Sequence, residues 1–451
     1  MLYRCHITGA GSTSQYEELI KTFLRQSQYE MTSYSDASVH SYVFCGDKNL
    51  LKRQIYEDLA RITSKRPKWG IITGIRPVKL AGEMYDAYGS MDKVKEIFER
   101  EYLLHPEKSR IVCHILKYQR EKVGKPKKNS LSLYIGIPFC PTRCLYCSFT
   151  SNQAHYSETV RYMDALHKEM EYTFRALKDS PYSVESIYIG GGTPTTLDKK
   201  QLEGLLSKIS DCHSGGELKE FTVEAGRPDT IDEEKLSVLK EYGVNRISIN
   251  PQTMKEETLE VIGRRHSVKD VFKAFEAANK VGFDVINADL ISGLPGETAE
   301  DFWESLRTIM ELGADNITLH TLAVKRASKL KELDENYNYR NASLCEEMLS
   351  VAHGMMAEGG YLPYYLYRQK HTSGNTENIG FCRENKLSLY NLRIMEEGES
   401  ILALGAGGVS KIFFPRENRL ERIANVSNYQ IYIDRIDEMI ERKREGFFFE
   451  K

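Results

Sequence analysis

The chain has 451 residues, 41% of them hydrophobic, and 62 Lys and Arg against 64 Asp and Glu, the balance of an ordinary globular protein long enough for more than one domain. A net charge of −2 gives no basis for general nucleic-acid or membrane-surface binding. No stretch approaches the ~18 apolar residues of a membrane span, the start Met-Leu-Tyr-Arg-Cys-His carries no basic-then-apolar signal, and nine unevenly spread cysteines read as reduced thiols in a cytoplasmic setting rather than as a disulfide framework.

Residues 1–123 predict a small α+β domain, with strands at 1–7 and 39–46, helices at 15–26 and 48–62, and then the run Trp69–Pro77. Residues 124–130, Gly-Lys-Pro-Lys-Lys-Asn-Ser, are polar and broken by Gly and Pro, as a linker is. From 131 to 325 a strand-then-helix pattern repeats six times. The strands fall at 132–137, 186–190, 220–224, 245–249, 284–290 and 316–322, and the helices near 157–177, 198–210, 231–242, 255–280 and 298–312. Thr230 followed by Glu233 reads as a capping box. Such alternation argues a parallel sheet with helices outside, and six units argue a partial (β/α)6 barrel of the α/β class. Residues 326–451, with helices near 339–358 and 427–445, read as a C-terminal capping and substrate region.

In a β/α barrel the chemistry collects at the carboxyl ends of the strands. There the chain places, in order, a cysteine loop, Gly190–Thr195, Glu224, Asn250 with Gln252, Asp289 followed by Gly293-Leu294-Pro295-Gly296, and His320 with Thr321. Three successive glycines let a ligand approach bare backbone, although a tight turn would also use them. Glu224 alone is compatible with a solvated strand end. Asp289, inside an apolar run, needs a ligand or a cationic partner. Gly405-Ala406-Gly407-Gly408-Val409-Ser410 is either a turn or a second close-approach loop.

Cys140, Cys144 and Cys147 lie in Ile-Pro-Phe-Cys-Pro-Thr-Arg-Cys-Leu-Tyr-Cys, and Phe149 follows where a fourth cysteine could stand. Structural zinc would ask for four ligands, typically in two C-x2-C pairs. Three thiolates holding a cubane would leave one iron open to a small N,O-donor molecule.

This C-x3-C-x2-C run with Tyr146 resembles the signature of the radical S-adenosylmethionine superfamily. Tyr134–Cys140, Gly190–Thr195, Gln252, Gly263-Arg264-Arg265-His266 and Asp289–Gly296 resemble the oxygen-independent coproporphyrinogen III oxidases, and Thr73-Gly74-Ile75-Arg76-Pro77-Val78-Lys79 resembles the N-terminal segment of coproporphyrinogen dehydrogenases of the HemZ type. The resemblance implies a [4Fe–4S] cluster on Cys140, Cys144 and Cys147. It implies a first S-adenosylmethionine at Tyr134, Gly191, Glu224 and Val409. A second would sit at Tyr146, Gly192, Thr193, Gln252, Arg264, Asp289 and Ala323, although Gly192 and Thr193 could equally serve the first. It further implies a 5′-deoxyadenosyl radical that turns two propionates of a tetrapyrrole substrate into vinyls with loss of CO2, and an electron donor such as flavodoxin or ferredoxin. Propionates want Arg or Lys partners, for which Lys325, Arg326, Arg368 and Arg383 are candidates.

Two rival classes are a haem-binding chaperone and another radical enzyme, a methyltransferase or an anaerobic haem-opening enzyme. Gly136 stands where the best-known oxidases carry His. Phe149 matches the chaperone branch, whereas Glu384–Asn391 lacks the His and Trp of that branch's His-Asn-x-x-Tyr-Trp motif.

Overall fold

In a computed structural model the chain is described over residues 2–149, 151–210, 218–324, 330, 337, 341–369, 372 and 376–448. Backbone contacts divide it into two compact units, Met1–Gln119 with Leu366–Lys370, and Arg120–Tyr365 with His371–Lys451.

The first unit holds a three-stranded sheet of β1 (Tyr3–Thr8), β2 (Tyr29–Thr32) and β3 (His40–Val43) in the order β2-β1-β3, both pairs parallel. The helices Ser14–Ile20 and Lys48–Thr63 bury Tyr16, Leu19, Leu51, Ile55 and Leu59 against Tyr3, Cys5 and Tyr29 of that sheet. Asp47 opens the second helix, its carboxylate accepting from the N–H groups of Asn49 (2.8 Å) and Leu50 (3.2 Å). The helices Pro77–Tyr88 and Met91–Arg100 follow.

The larger sheet has eleven strands, all in the second unit except the last residues of the strand Leu362–Arg368, from Leu366 on, which count with the first. Its strands are β4 (Ser130–Ile137), β5 (Ser183–Gly191), β6 (Glu220–Glu224), β7 (Arg246–Ser248), β8 (Val285–Ser292), β9 (Asn316–Thr321), β10 (Leu362–Arg368), β11 (Glu377–Cys382), β12 (Ser400–Leu404), β13 (Val409–Phe414) and β14 (Arg419–Ala424), in the order β10-β11-β9-β8-β7-β6-β5-β4-β12-β13-β14. β4 to β9 lie side by side in chain order and all parallel, as the six strand–helix units predict. The last third of the chain is more than a cap. β12 joins β4 in parallel, Ala403 opposite Tyr134, and β11 pairs antiparallel with β9. Its helices Tyr429–Asp434 and Ile436–Lys443 pack on Tyr156–Lys178, with the Tyr162 and Tyr432 rings 5.3 Å apart.

Alternate residues on β4–β9 take opposite faces. One face is aliphatic: Leu133, Ile135, Ile187, Ile189, Val223, Ile247, Leu290 and Leu319 are at most 1% exposed. Each such side chain contributes roughly 1.5–3 kcal/mol by leaving water. The other face is polar along its length, carrying Ser132, Tyr134, Ser186, Tyr188, Glu220, Thr222, Glu224, Ser248, Asn287, Asp289, Thr318 and His320. Fully buried parallel strands normally read apolar on both faces, so this polar face is shaped for something other than packing.

At the amino ends the polar face closes on itself. Buried Arg393, from helix Leu389–Glu396, reaches Glu185 (3.4 Å), Glu396 (3.1 Å) and Glu399 (3.5 Å), and Glu399 accepts from the hydroxyls of Ser130 (2.7 Å) and Ser132 (2.6 Å). Glu220 accepts from the N–H groups of Leu389 (2.6 Å) and Tyr390 (3.2 Å), and Arg246 donates to the Lys386 and Leu387 carbonyls. The segment 386–399 therefore seals that end with buried ion pairs and hydrogen bonds.

Candidate active site

The carboxyl ends of the same strands stay polar and carry the cysteine loop. Beyond β4 the chain is pinned by Cys140 N–H to the Asn152 carbonyl (2.9 Å) and Asn152 N–H to the Pro138 carbonyl (2.9 Å), which bring the far end of the loop back beside its start. Leu145 N–H donates to Ile262 O (2.9 Å), and the Thr142 hydroxyl donates to Gly263 O (2.8 Å). Arg227, itself buried, donates to the Thr142 hydroxyl (2.9 Å). The loop is thus held from β4, from the segment after β6 and from the Gly263–His266 run. Burial pushes the Cys140 thiol up to about 11 and raises Cys147; neighbouring cysteine charges raise both further, while the Thr193 hydroxyl, 3.5 Å from the Cys140 sulfur, partly offsets the rise there.

The three glycines after β5 are explained by that loop. Gly192 N–H donates to Ile137 O (2.8 Å) and Thr193 N–H to Phe139 O (2.7 Å). A Cβ on Gly192 would stand 2.4 Å from Phe139 O, and Gly191 has φ +113°, a region that L side chains avoid. They let β5 lie against the cysteine loop, so the close approach expected of a ligand is made here by backbone. Gly405, at the end of β12, plays the same part toward β4: a Cβ there would lie 2.4 Å from Gly136 O, and its φ is +86°.

Next to the glycines runs a chain of polar contacts across the strands. Glu224 accepts from the Tyr188 hydroxyl and from Gly191 N–H (3.3 Å). Burial and then Asp289 raise Glu224 to about 7, against the opposing pull of Tyr188, Gly191 and His320. Asp289 accepts from the Asn287 amide (2.9 Å) and lies 3.6 Å from His320 Nε2; these partners and Thr318 outweigh burial and hold its carboxyl below the usual range. Asn287 also donates to Ser248 (2.6 Å), which donates to Asn250 (2.7 Å). The ring of Tyr188 stacks on Tyr390 at 4.4 Å, with Tyr134 6.2 Å from the first and 6.3 Å from the second.

Of the expected second set, Gln252 sits at φ +73°, a strained setting for a non-glycine residue, and exchanges backbone hydrogen bonds with Asp289 O and Ile291 N. Buried Arg264 donates to the Gly226 and Asn250 carbonyls; burial pulls it down, but Tyr146 and Cys144 outweigh that and hold it above its ordinary value. Ala323 bridges to Thr372, and Val409, 38% exposed, opens β13 just past the Gly405 turn. The expected substrate contacts fare differently. Lys325 and Arg326 lie outside the described residues. Arg383 sits at the amino ends, its N–H on Asp315 O (2.8 Å) just before β9 and its guanidinium over Tyr361 at 4.6 Å. That is the opposite end of the strands from the cysteines. Arg368 is buried in the first unit, donating to Ile72 O and lying 4.9 Å from the Trp69 ring.

Sequence reasoning missed Tyr188, Arg227 and His266. His266 is 2% exposed and lines a cavity of about 1040 Å³ beside the cysteine loop, together with Thr142, Arg143, Asn152 and Arg265. Neither ring nitrogen has a hydrogen-bond partner among the described residues, and burial, then Arg264 and Arg227, push it down to about 3, so the imidazole is neutral. The alternation Ser186-Ile187-Tyr188-Ile189 within β5 was the signal available for Tyr188. His266 closes the Gly263–His266 run already singled out, whereas Arg227 has no local signal.

Three cysteine thiols on one short loop are the kind of donor an iron–sulfur cubane takes. Among the described residues no three His, Cys, Asp or Glu side chains converge on one metal centre. The sulfurs of Cys140, Cys144 and Cys147 nevertheless feel one another's charge. A cubane asks its thiolates to stand apart at separate corners.

A family model described as the radical SAM superfamily matches residues 134–309. Over 401 residues the chain is 37% identical to the oxygen-independent coproporphyrinogen-III oxidase-like protein HemZ of Bacillus subtilis, covering 88% of this chain and 80% of that protein. The heme chaperone HemW of the same organism is 42% identical over 195 residues, 43% of this chain and 51% of the chaperone. Coproporphyrinogen III oxidase (HemN) from Escherichia coli superposes with a TM-score of 0.55 at 22% identity, over 72% of this chain and 73% of that one, a likeness of fold.

Proposed function

Because the chain belongs to the radical S-adenosylmethionine superfamily and, within it, to the oxygen-independent coproporphyrinogen-III oxidase-like proteins, we propose that it carries out oxygen-independent oxidative decarboxylation of coproporphyrinogen III to protoporphyrinogen IX in cytoplasmic haem biosynthesis. Members of the superfamily use a [4Fe–4S] cluster and S-adenosylmethionine, which when bound supply an electron and the power to abstract a hydrogen atom. The observation that carries the proposal is the largely polar face of β4–β9, closed at its amino end and ending at its carboxyl end beside three cysteines.

Cys140, Cys144 and Cys147 hold the cluster. Tyr134, Gly191 and Glu224, with Val409, bind the first S-adenosylmethionine, Glu224 as the anion for a cationic ligand. Tyr146, Gly192, Thr193, Gln252, Arg264, Asp289 and Ala323 form the place for a second. Asn287 and His320 orient the Asp289 carboxylate. The ion pairs and hydrogen bonds around Arg393 and Glu220 keep water from entering through the amino end. A small reduced carrier, a flavodoxin or a ferredoxin, supplies electrons.

The deciding experiment is an anaerobic incubation of reconstituted protein with a reductant, S-adenosylmethionine and coproporphyrinogen III, with tetrapyrroles read by mass. Loss of two CO2 supports the proposal. A haem-carrying reading draws on the HemW likeness and on Phe149, which is 69% exposed at the position shared with that branch. Stable haem binding with no decarboxylation would replace the proposal with that reading. Against it, Lys386–Tyr390, where a chaperone's haem-ligand motif would fall, is tied to Arg246 and Glu220 as part of the seal.

A further inference from the structure

The first unit buries a cation that has no anionic partner among the described residues. Lys52, in the second turn of helix Lys48–Thr63, is 8% exposed beside the apolar side chains of Leu51 and Ile55. Its ammonium donates to the Thr73 hydroxyl at 2.9 Å. That is its one acceptor among the described residues, so two of its three N–H donors have none. Burial first and then Lys48 pull it down to about 8, and no carboxylate opposes them.

The neighbouring acids are engaged elsewhere. Asp47 caps the helix, Glu57 pairs with Arg66 at 3.0 Å, and Asp58 accepts from the Tyr42 hydroxyl at 2.9 Å. Lys48, one turn earlier on the same side of the helix, is exposed and adds a second positive charge. Charged groups are almost never left fully buried and unpaired.

The surroundings of Lys52 suit a ligand. Thr73 opens the run Thr73-Gly74-Ile75-Arg76-Pro77-Val78-Lys79, to which the roles assigned above give no part. Gly74 is exposed, and a Cβ built there would meet nothing within 4 Å, so the space beside it is open. Helix Pro77–Tyr88 starts three residues on, and its N-cap residue Arg76 makes no side-chain cap to the first turn. An oxyanion seated over Gly74 would meet the Lys52 ammonium, the Thr73 hydroxyl and the partial positive charge of a twelve-residue helix.

We propose that Lys52, Lys48, Thr73 and the open backbone at Gly74 form a binding site for an oxyanion, a phosphoryl or carboxylate group, in the first unit. The proposal is independent of the reaction assigned to the second unit.

The test titrates the full chain with inorganic phosphate and, separately, with succinate at constant ionic strength set by chloride, and follows heat of binding and thermal unfolding. Wild type binds one equivalent of one of the two saturably; preference for phosphate points to a phosphorylated ligand and preference for succinate to a carboxylate one. Lys52→Met, which keeps the apolar stem, weakens that binding at least tenfold, and Thr73→Val weakens it severalfold. In chloride alone Lys52→Met melts no lower than wild type, because it removes an uncompensated buried charge, and at saturating oxyanion the order reverses. Equal binding by wild type and Lys52→Met, binding of neither anion, or a lower melting temperature for Lys52→Met in chloride alone would each overturn the proposal.

Discussion

Lys443→Met isolates one buried charge next to the glycine turn at Gly405. Glu169, on the helix Tyr156–Lys178, is fully buried and pairs with the Lys443 ammonium, which is 1% exposed. The carboxylate also accepts from Gly405 N–H (2.8 Å), the Asn425 amide (2.8 Å) and the Tyr432 hydroxyl (2.5 Å), while Lys443 donates to Asn425 Oδ1 (2.8 Å). Removing one partner of such a pair costs ~3–5 kcal/mol, because the remaining charge stays buried and uncompensated. Three neutral donors remain on Glu169, which places the loss at the lower end, about 3 kcal/mol, or more than a hundredfold in the unfolding equilibrium. Urea unfolding followed by circular dichroism measures it. Glu169→Gln in the same background removes the stranded charge while keeping an acceptor for Gly405, and recovers at least half of the loss as a favourable coupling. A loss under ~0.5 kcal/mol for Lys443→Met, or a double variant weaker than the single one, would refute the reasoning.

Gly192→Ala puts a methyl 2.4 Å from Phe139 O, so the cysteine loop must move; iron loading after reconstitution drops severalfold while the far-ultraviolet spectrum is retained. Glu224 is neutral below about 7 and anionic above it, so affinity for cationic S-adenosylmethionine, measured by calorimetry, rises with pH through about 7 and falls below it. Glu224→Gln gives weaker binding with no such slope. The same raised carboxyl favours the folded state at acid pH, and that contribution is lost as pH climbs from about 4.5 toward about 7. Asp289→Ala leaves the Asn287 amide and His320 without their shared acceptor; S-adenosylmethionine cleavage falls at least tenfold with cluster content unchanged, and unchanged turnover would exclude that role.

The six parallel strands were legible because each is a short stretch of aliphatic and aromatic residues, often alternating with polar ones, between helical patterns, and their ends fall within two residues of expectation except the start of β5, which lies three residues earlier, at Ser183. The helix expected over 255–280 is two, Glu256–Val261 and Val268–Val281, because Gly263 takes φ +76° and the run to Ser267 turns back to hold the cysteine loop. Thr230 does not open a capping box. It ends a 3-10 turn with its hydroxyl on Arg227 O (2.7 Å), and the cap is Asp232, accepting from Lys235 N–H (2.8 Å). β12 was missed because five residues after a helix carry no sign that their partner lies some 270 positions earlier. The cysteine loop could be read from spacing alone. The seal of Arg393, Glu185 and Glu399 could not, since its members meet only after the sheet has formed. Arg383 misled for the same reason: a lone Arg says nothing about which end of a strand it reaches.

The most direct measurement is the electron paramagnetic resonance spectrum of anaerobically reconstituted, reduced protein with and without S-adenosylmethionine, beside Cys144→Ala. A fast-relaxing [4Fe–4S]⁺ signal that changes shape when S-adenosylmethionine is added, and is absent from the variant, is the predicted result. A wild-type spectrum that shows no such signal, one indifferent to S-adenosylmethionine, or the same spectrum from Cys144→Ala would contradict the account.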